Sequence, residues 1–347
     1  MNTTTSNVEP KAPSGATSRR RRILRGIRHG LKWFGLVLIA LVVLGMAYQT
    51  IATEIDKRTY APRGQLYTVN SHQMHLVCLG EGSSTVILQS GATAESLWWH
   101  WVQEQLAQQT RVCAYDRSGL GFSEPSSGLR DGIAIVSELH TLLEKAGVKP
   151  PYIMAGHSFG AVWTRIYAAQ YPEQVAGIVL VDSTFLPEQS DLAGWKTLND
   201  VIQVPLWAMW RTGLGRLSGA GTFQQLGYPP DVAREIAAWQ SRNQTFDITY
   251  AETIHAIEPL SAESAAAEDL GDLPMIVLWA SKSDTAQDRL SAYREKLAAV
   301  SSNGVTRMIE GANHGSILGN EQYAQQVSDA VLDVMEAART GQRLTSN

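Results

Sequence analysis

The sequence predicts an α/β fold built on a mostly parallel sheet. Short apolar runs alternate with segments whose apolar residues recur at helical spacing, which is the pattern of buried strands joined by helices. Polar residues lie in the short loops that follow six of the apolar runs, at Ser90, Asp116, Ser158, Asp182, Asp284 and His314. Because sites in such sheets form at the carboxyl ends of strands, the arrangement points to a functional site at this edge.

The elements follow one another in a regular order. Residues 65–69 and 73–79 form a predicted antiparallel hairpin, because Asn70-Ser71-His72 between them is typical of a turn. The other predicted strands are 85–89, 111–115, 151–155, 177–181, 275–279 and 305–309. The predicted helices are 95–108, 131–143, 161–169 and 323–338.

One region interrupts this alternation. Residues 185–270 contain several helical patterns and four tryptophans but no convincing strand. We interpret this stretch as a helical cap inserted into a core formed by residues 62–184 and 271–340.

Charge divides the chain into two parts. Residues 1–32 carry eight basic side chains and one acidic side chain, whereas the 347-residue chain has a net charge of −4. The remainder is therefore acidic, which argues against nucleic-acid binding by the folded part. The Thr-, Ser- and Pro-rich start of this basic tail predicts disorder over residues 1–32.

A long apolar run follows the basic tail. Residues 33–52 carry no charge and are long enough to cross a bilayer. We expect a single-pass anchor with a cytoplasmic N-terminus and an extracytoplasmic domain, because basic residues precede the run. A cleaved signal peptide and a buried core helix are the alternatives.

Cys78 and Cys113 are the two cysteines of the chain. Their spacing predicts no zinc site, and we expect no metal or organic cofactor. Buried thiols are the favoured interpretation, and a disulfide is the alternative if their strands are neighbours.

The most informative motif is Gly156-His157-Ser158-Phe159-Gly160. It lies between a predicted strand and a predicted helix, the context in which G-x-S-x-G forms a nucleophile elbow. A serine hydroxyl needs a base, and His314 lies in a loop after the last predicted strand. Asp284 is the favoured acid to orient this imidazole, because the order Ser, acid, His is then satisfied, and Asp182 is the rival.

Two further sets of residues complete the predicted site. The backbone N–H groups of Phe159 and Ala92 are candidates for an oxyanion hole, since acyl transfer needs donors aimed at the developing negative charge. Four aromatic residues are candidates for an apolar substrate lining, namely Trp99, Phe185, Trp207 and Trp210.

These motifs resemble those of the α/β-hydrolase superfamily over about residues 62–340. The resemblance rests on the pentapeptide at Ser158, on Asp116-Arg117-Ser118-Gly119-Leu120-Gly121-Phe122-Ser123, on Asp284 and on Asn313-His314. It implies an eight-stranded sheet, a cap after the sixth strand and a Ser-Asp-His triad. The chain departs from many relatives in carrying Ser90-Gly91 where they have His-Gly.

The predicted reaction is hydrolysis of a small-molecule carboxylic ester with an apolar acyl or aromatic part, through an acyl-enzyme. An aminopeptidase-type amide hydrolase is the first alternative, and it requires cap carboxylates such as Glu235 or Glu252 to face the site. A non-catalytic binding protein is the second, because a fold does not fix a function.

Overall fold

A computed structural model describes residues 15–186, 191–282 and 287–346. The first element of the described residues is a long helix, α1, over Gly15–Thr59. The tail was predicted to be disordered to residue 32, but residues 15–32 continue this helix, because arginine, leucine and isoleucine side chains are compatible with helical backbone. Residues 1–14 lie outside the described part of the chain.

Eight strands form one sheet in the order β1-β2-β4-β3-β5-β6-β7-β8. Only the pairs β1–β2 and β2–β4 are antiparallel, and the other five are parallel. The strands are β1 Gln65–Val69, β2 His72–Leu79, β3 Thr85–Gln89, β4 Arg111–Tyr115, β5 Tyr152–His157, β6 Val175–Val181, β7 Met275–Ala280 and β8 Gly304–Ile309. The predicted fold class is therefore confirmed.

Helices cover both faces of this sheet. They are α2 His100–Leu106, α3 Gly132–Lys145, α4 Phe159–Gln170, α10 Gln287–Ala298, α11 Ser316–Gly319 and α12 Glu321–Thr340. The helix predicted over 95–108 is instead a 3₁₀ turn, Ser96–Trp99, followed by α2. Alternate strand residues pack in two separate clusters, with Met154 in one and Ile153 in the other, as expected when successive side chains point to opposite faces.

The described residues between β6 and β7 contain several helices and no strand. They form α5 Leu192–Arg211, α6 Gly219–Leu226, α7 Pro230–Gln240, α8 Asn243–Tyr250 and α9 Ile257–Ala266. A π-helical turn, Ala251–His255, joins α8 to α9. We refer to this region as the cap, and it has a small apolar cluster of its own around Phe223, Tyr228 and Ile236.

The two cysteines form a disulfide. Cys78 in β2 lies directly opposite Cys113 in β4 in the antiparallel register. The favoured interpretation of two buried thiols is therefore wrong. Sequence spacing could not reveal the pair, because the strands become neighbours only through the sheet order.

Candidate active site

Ser158 lies on a sharp turn between β5 and α4. Its backbone has φ 56° and ψ −123°, a conformation that residues with side chains rarely adopt. The turn is held by a hydrogen bond of 3.0 Å from the Ser158 N–H to the Val181 carbonyl. It also requires glycine at 160, because a Cβ there would lie 2.1 Å from the Gln89 carbonyl oxygen. The predicted elbow geometry is thus present, with Ser158 at the carboxyl end of a central strand.

The loop after β3 lies against this serine. A Cβ on Gly91 would lie 2.8 Å from the Ser158 Cβ, so the absence of a side chain allows the two backbones to approach closely. Ala92 follows Gly91 in this loop. Phe159 is the first residue of α4, where N–H groups have no acceptor within the helix. The two predicted oxyanion donors therefore lie on the two segments that meet at Ser158, and their role stays a prediction.

His314 is paired with an aspartate that follows β6. Its Nδ1 lies 2.6 Å from Asp182 Oδ2, and Asp182 Oδ1 accepts a hydrogen bond of 3.1 Å from the Ala280 N–H. Burial raises the pKa of Asp182, but the hydrogen bond and positive charge of His314 outweigh burial and hold that pKa below its ordinary value. Asp182 is therefore an ionised acceptor that fixes the orientation of the imidazole.

The favoured acid from the sequence, Asp284, lies outside the described residues. The rival, Asp182, is the residue bonded to His314. Ser158 Oγ shares a hydrogen bond of 3.0 Å with Thr184 Oγ1 and forms none with the His314 ring among the described contacts. Catalytic hydrogen bonds often form only when substrate binds, and the half-exposed His314 side chain has room to turn.

The side chain of His157, which precedes Ser158, holds the loop that contains His314. Its Nε2 lies 2.9 Å from the His314 carbonyl oxygen, and the two rings are 4.6 Å apart. Burial, with the nearby His314, lowers the pKa of His157 to about 3. His157 is therefore neutral and donates from Nε2. No sequence pattern predicts this role, because the contact joins residues 157 positions apart.

The four predicted substrate residues lie in different places. Phe185 is half exposed and lines a cavity of about 710 Å³ together with Asp182 and His314. Trp210 lines a second cavity of about 250 Å³ under α5, whereas Trp207 faces outward from the same helix. Trp99 is fully buried in a sheet-face cluster. Packing accounts for Trp99, so the structure gives no support for its predicted role in lining the substrate site.

A buried arginine connects the loop of Gly91 to the cap. Arg117 donates hydrogen bonds of 2.6 and 2.8 Å to the carbonyl oxygens of Ser90 and Gly91. Its Nε donates to Glu252 Oε2 at 3.0 Å, and its guanidinium lies 4.3 Å from the Trp163 ring centroid. The sequence analysis assigned no chemistry to this arginine. In the structure it holds the backbone of the loop that carries Ala92.

Arg117 and Arg130 each bind one oxygen of the Glu252 carboxylate. Glu252 lies in the π-helical turn of the cap and is fully buried. Its second oxygen accepts a short hydrogen bond from Arg130, which also donates to Glu138 on α3 at 2.6 Å. Burial opposes the charge of Arg130, but Glu252 and Glu138 raise its pKa above the ordinary value. Glu235 likewise pairs with Arg63 at 2.7 Å.

No group of three His, Cys, Asp or Glu side chains is arranged to hold a metal ion within the described part of the chain. The arrangement of the described residues is compatible with nucleophilic chemistry. A strained serine, a histidine–aspartate pair and a glycine-opened loop meet at the carboxyl ends of the central strands.

Comparisons with known proteins agree with this fold. Residues 84–214 match the family model for the alpha/beta hydrolase fold. An AB hydrolase superfamily protein from Gibberella zeae is 31% identical over 163 residues, which are 46% of this chain and 48% of that protein. The match covers only 28% to 48% of the length of three curated relatives.

Solved structures extend the likeness over most of the chain. A thermophilic esterase from Thermogutta terrifontis has a TM-score of 0.61 and 19% identity, with 80% of this chain and 99% of that chain covered. The epoxide hydrolase CorEH also has a TM-score of 0.61 and 19% identity, with 78% and 98% covered. At such identities these structures show the fold alone. The chain is therefore an α/β-hydrolase-fold protein, as the sequence motifs predicted.

Proposed function

We propose that this α/β-hydrolase-fold chain is a serine hydrolase that cleaves carboxylic esters with an apolar acyl or aromatic part. Ser158 is the nucleophile, His314 the base, and Asp182 the acid that orients His314. The observation that carries the proposal is the strained backbone of Ser158 with the Gly91 loop against it. A nucleophile at such a turn is open both to a base and to donors for an oxyanion.

The proposed chemistry proceeds in two steps. His314 turns from its present position to accept the Ser158 proton, displacing Thr184 as the partner of Oγ. The alkoxide attacks the ester carbonyl, the oxyanion accepts hydrogen bonds from Phe159 and Ala92, and the alcohol leaves with the proton. Water, deprotonated by His314, then attacks the acyl-enzyme and releases the acid and free Ser158.

The contacts of the cap carboxylates disfavour the aminopeptidase alternative. A free amino terminus needs an unpaired carboxylate at the site. Glu252 is bonded to Arg117 and Arg130, and Glu235 is bonded to Arg63. Both candidates are thus neutralised by arginines, which supports an uncharged ester as the substrate.

We also propose that α1 anchors the chain in a membrane, with the N-terminus cytoplasmic and the hydrolase domain outside. Two observations support this proposal. The helix is long and apolar enough to span a bilayer, and the side chains of its apolar run are almost entirely exposed. The Cys78–Cys113 disulfide also suits an oxidising, extracytoplasmic compartment.

The test of the hydrolase proposal compares Ser158→Ala with Ser137→Ala, an exposed serine on α3. We expect Ser158→Ala to abolish labelling by a fluorophosphonate probe and to lower kcat on nitrophenyl esters by about a thousandfold or more. Ser137→Ala should label and turn over like the parent. Unchanged labelling of Ser158→Ala, or no labelling of the parent chain, would overturn the mechanism.

The identity of the acid is tested with Asp182→Asn and Asp284→Asn. An asparagine at the true acid favours the wrong imidazole tautomer, so kcat should fall by about 10⁴ in a serine triad. We expect this loss for Asp182→Asn and a smaller loss for Asp284→Asn. The reverse order would assign the role to Asp284, as the sequence first indicated.

A further inference from the structure

The cap contacts α1 inside the predicted membrane span. A Cβ on Gly45 would lie 2.8 Å from the Thr212 carbonyl oxygen, and one on Gly213 would lie 2.7 Å from the Tyr48 ring. Gln49 is fully buried and donates a hydrogen bond of 2.7 Å to the Ser241 carbonyl. The turn after α5 therefore lies level with residues 45–49, at the end of the apolar run that leads out of the cytoplasm.

Polar contacts fix this depth along α1. Arg216, in the turn after α5, donates to Gln49 Oε1 and to Asp56 Oδ2, both at 2.8 Å, and to Thr53 Oγ1 at 3.2 Å. These partners span two turns of α1, about 11 Å at 1.5 Å per residue. The cap thus cannot slide along the helix without breaking several bonds, and the position of α1 in a bilayer also sets that of the cap.

The cap exposes apolar side chains on α5 and in the turn that contacts α1. They belong to Val201, Val204 and Trp207 on α5 and to Leu214 and Leu217 in the following turn, whose exposed fractions range from 45% to 82%. We call these five residues the apolar cap face. No charged residue occurs from Val201 to Trp210. Large exposed apolar patches mark interaction sites, and tryptophan is enriched at membrane interfaces.

The inner surface of α5 lines the cavity of about 250 Å³. Its apolar walls come from three elements, with Ile202, Leu206 and Trp210 on α5, Phe246 and Tyr250 on α8, and Ile254 in the π-helical turn. The cavity also reaches Thr93, whose Oγ1 accepts a hydrogen bond of 3.2 Å from Gln240. Thr93 follows Ala92 in the loop that packs on Ser158. One helix therefore separates the apolar cap face from a cavity that reaches this loop.

We propose that the apolar cap face inserts into the outer leaflet of the bilayer that holds α1, and that the cavity behind α5 receives the acyl chain of a lipid ester from that leaflet. The proposal rests on the anchor and the hydrolase activity proposed above. It commits to lipid because Thr212, which lies between Trp207 and Leu214 in the chain, contacts Gly45 in the apolar run of α1, whose exposed side chains face lipid in the proposed anchor.

Insertion is tested by fluorescence quenching in the full chain. The chain is reconstituted in phosphatidylcholine vesicles with the Leu217→Cys substitution, and the new thiol is labelled with a nitrobenzoxadiazole fluorophore. Leu129→Cys is the matched control, because Leu129 is similarly exposed, at 78%, in the loop before α3. We expect doxyl-labelled lipids to quench the probe at 217 several-fold more than the probe at 129.

Equal quenching at the two positions would overturn the insertion. A full chain that does not float with the vesicles would overturn the anchor and the insertion with it. Neither quenching nor flotation depends on catalysis, so both test the membrane insertion even if the chain hydrolyses no ester.

The substrate class is tested with two sets of variants. We expect Val201→Glu combined with Leu217→Glu to lower hydrolysis of a long-chain ester embedded in vesicles by about tenfold, since charged side chains resist burial in lipid. Hydrolysis of a soluble acetyl ester should not change, and Leu129→Glu should affect neither substrate. Equal losses on both esters would overturn delivery from the leaflet.

Ile202→Trp and Ile254→Trp fill the cavity from opposite walls. Each should lower the ratio of kcat/KM for a long-chain ester to kcat/KM for the acetyl ester by about tenfold. Unchanged chain-length preference in both variants would overturn the acyl site. If the unsubstituted chain hydrolysed no ester at all, the proposed function would be wrong, while the quenching result would still decide the insertion.

Discussion

The two ends of the cap are stabilised in opposite ways. At the π-helical turn, Glu252 is fully buried and is bonded to Arg117 and Arg130 of the core. At α5, apolar side chains are exposed, and the contact is with α1 rather than with the core. The Glu252 end of the cap is thus held by buried charges, whereas the α5 end exposes apolar side chains to its surroundings.

The difference shows how a cap can connect a membrane helix to a catalytic loop. A buried ion pair is sensitive to the loss of either partner, so the Glu252 end fixes the cap to the Ser90-Gly91 carbonyls through Arg117. The α5 end is held by a few contacts with α1 and presents surface that suits lipid. We expect substitutions at the Glu252 end to lower stability and catalysis. Substitutions at the α5 end should mainly change the position of the cap relative to α1.

The largest effect is expected for Glu252→Gln. The substitution leaves the buried Arg117 without a countercharge and Arg130 with Glu138 alone, and breaking a buried pair in this way costs about 3 to 5 kcal/mol of the free energy of unfolding. Chemical denaturation of the detergent-solubilised chain measures this loss. Glu258→Gln, an exposed position on α9, should cost less than 0.5 kcal/mol, roughly the range of surface substitutions. Similar losses in both variants would show that the arginines do not depend on Glu252.

A smaller and more specific effect is expected for Arg117→Lys. A lysine keeps the charge but cannot bind Glu252 and two carbonyl oxygens at once in a planar geometry. The loop that carries Ala92 should then lose its fixed position, and kcat should fall by about tenfold to a hundredfold, since small misplacements are costly in catalysis. Steady-state kinetics on a short ester separate kcat from KM. A change confined to KM would contradict a positioning role at the oxyanion loop.

The smallest effect is expected for Asp56→Asn. The ion pair of Asp56 with Arg216 at 2.8 Å joins α1 to the cap, and its side chains are only 13% and 16% exposed. Arg216 keeps its hydrogen bonds to Gln49 and Thr53, so the loss should cost about 1 to 2 kcal/mol. Fluorescence quenching of the Leu217→Cys probe should become more variable, while kcat on a soluble ester should not change. Glu54→Gln, which removes an exposed pair with Lys57, is the matched control. A large drop in kcat would mean that the two ends of the cap are coupled.

Much of the fold could be read from the sequence because its signals are local. Every strand predicted from a short apolar run is present, with shifts of a few residues at the ends. The elbow at Ser158 was also predictable, because the glycines that permit the turn lie within two positions of it. The N-terminal helix was underestimated, since a basic segment without apolar periodicity gave no sign that residues 15–32 are helical.

The candidate site was only partly predictable. Asp182 and Asp284 both follow a core strand, and their order relative to Ser158 and His314 is the same. Only the contact with His314 distinguishes Asp182. The role of Arg117 was hidden for a similar reason, because its partner Glu252 lies 135 positions away in the cap.

The sequence alone determined the α/β architecture, the serine elbow and an apolar N-terminal segment, because periodicity and turn chemistry act over a few neighbouring residues. Tertiary structure decided the Cys78–Cys113 bond, the Asp182–His314 pair, the burial of Glu252 between two arginines and the depth of the cap along α1. Each of these depends on which distant segments the sheet order and the inserted helices bring into contact, and no local pattern encodes that choice.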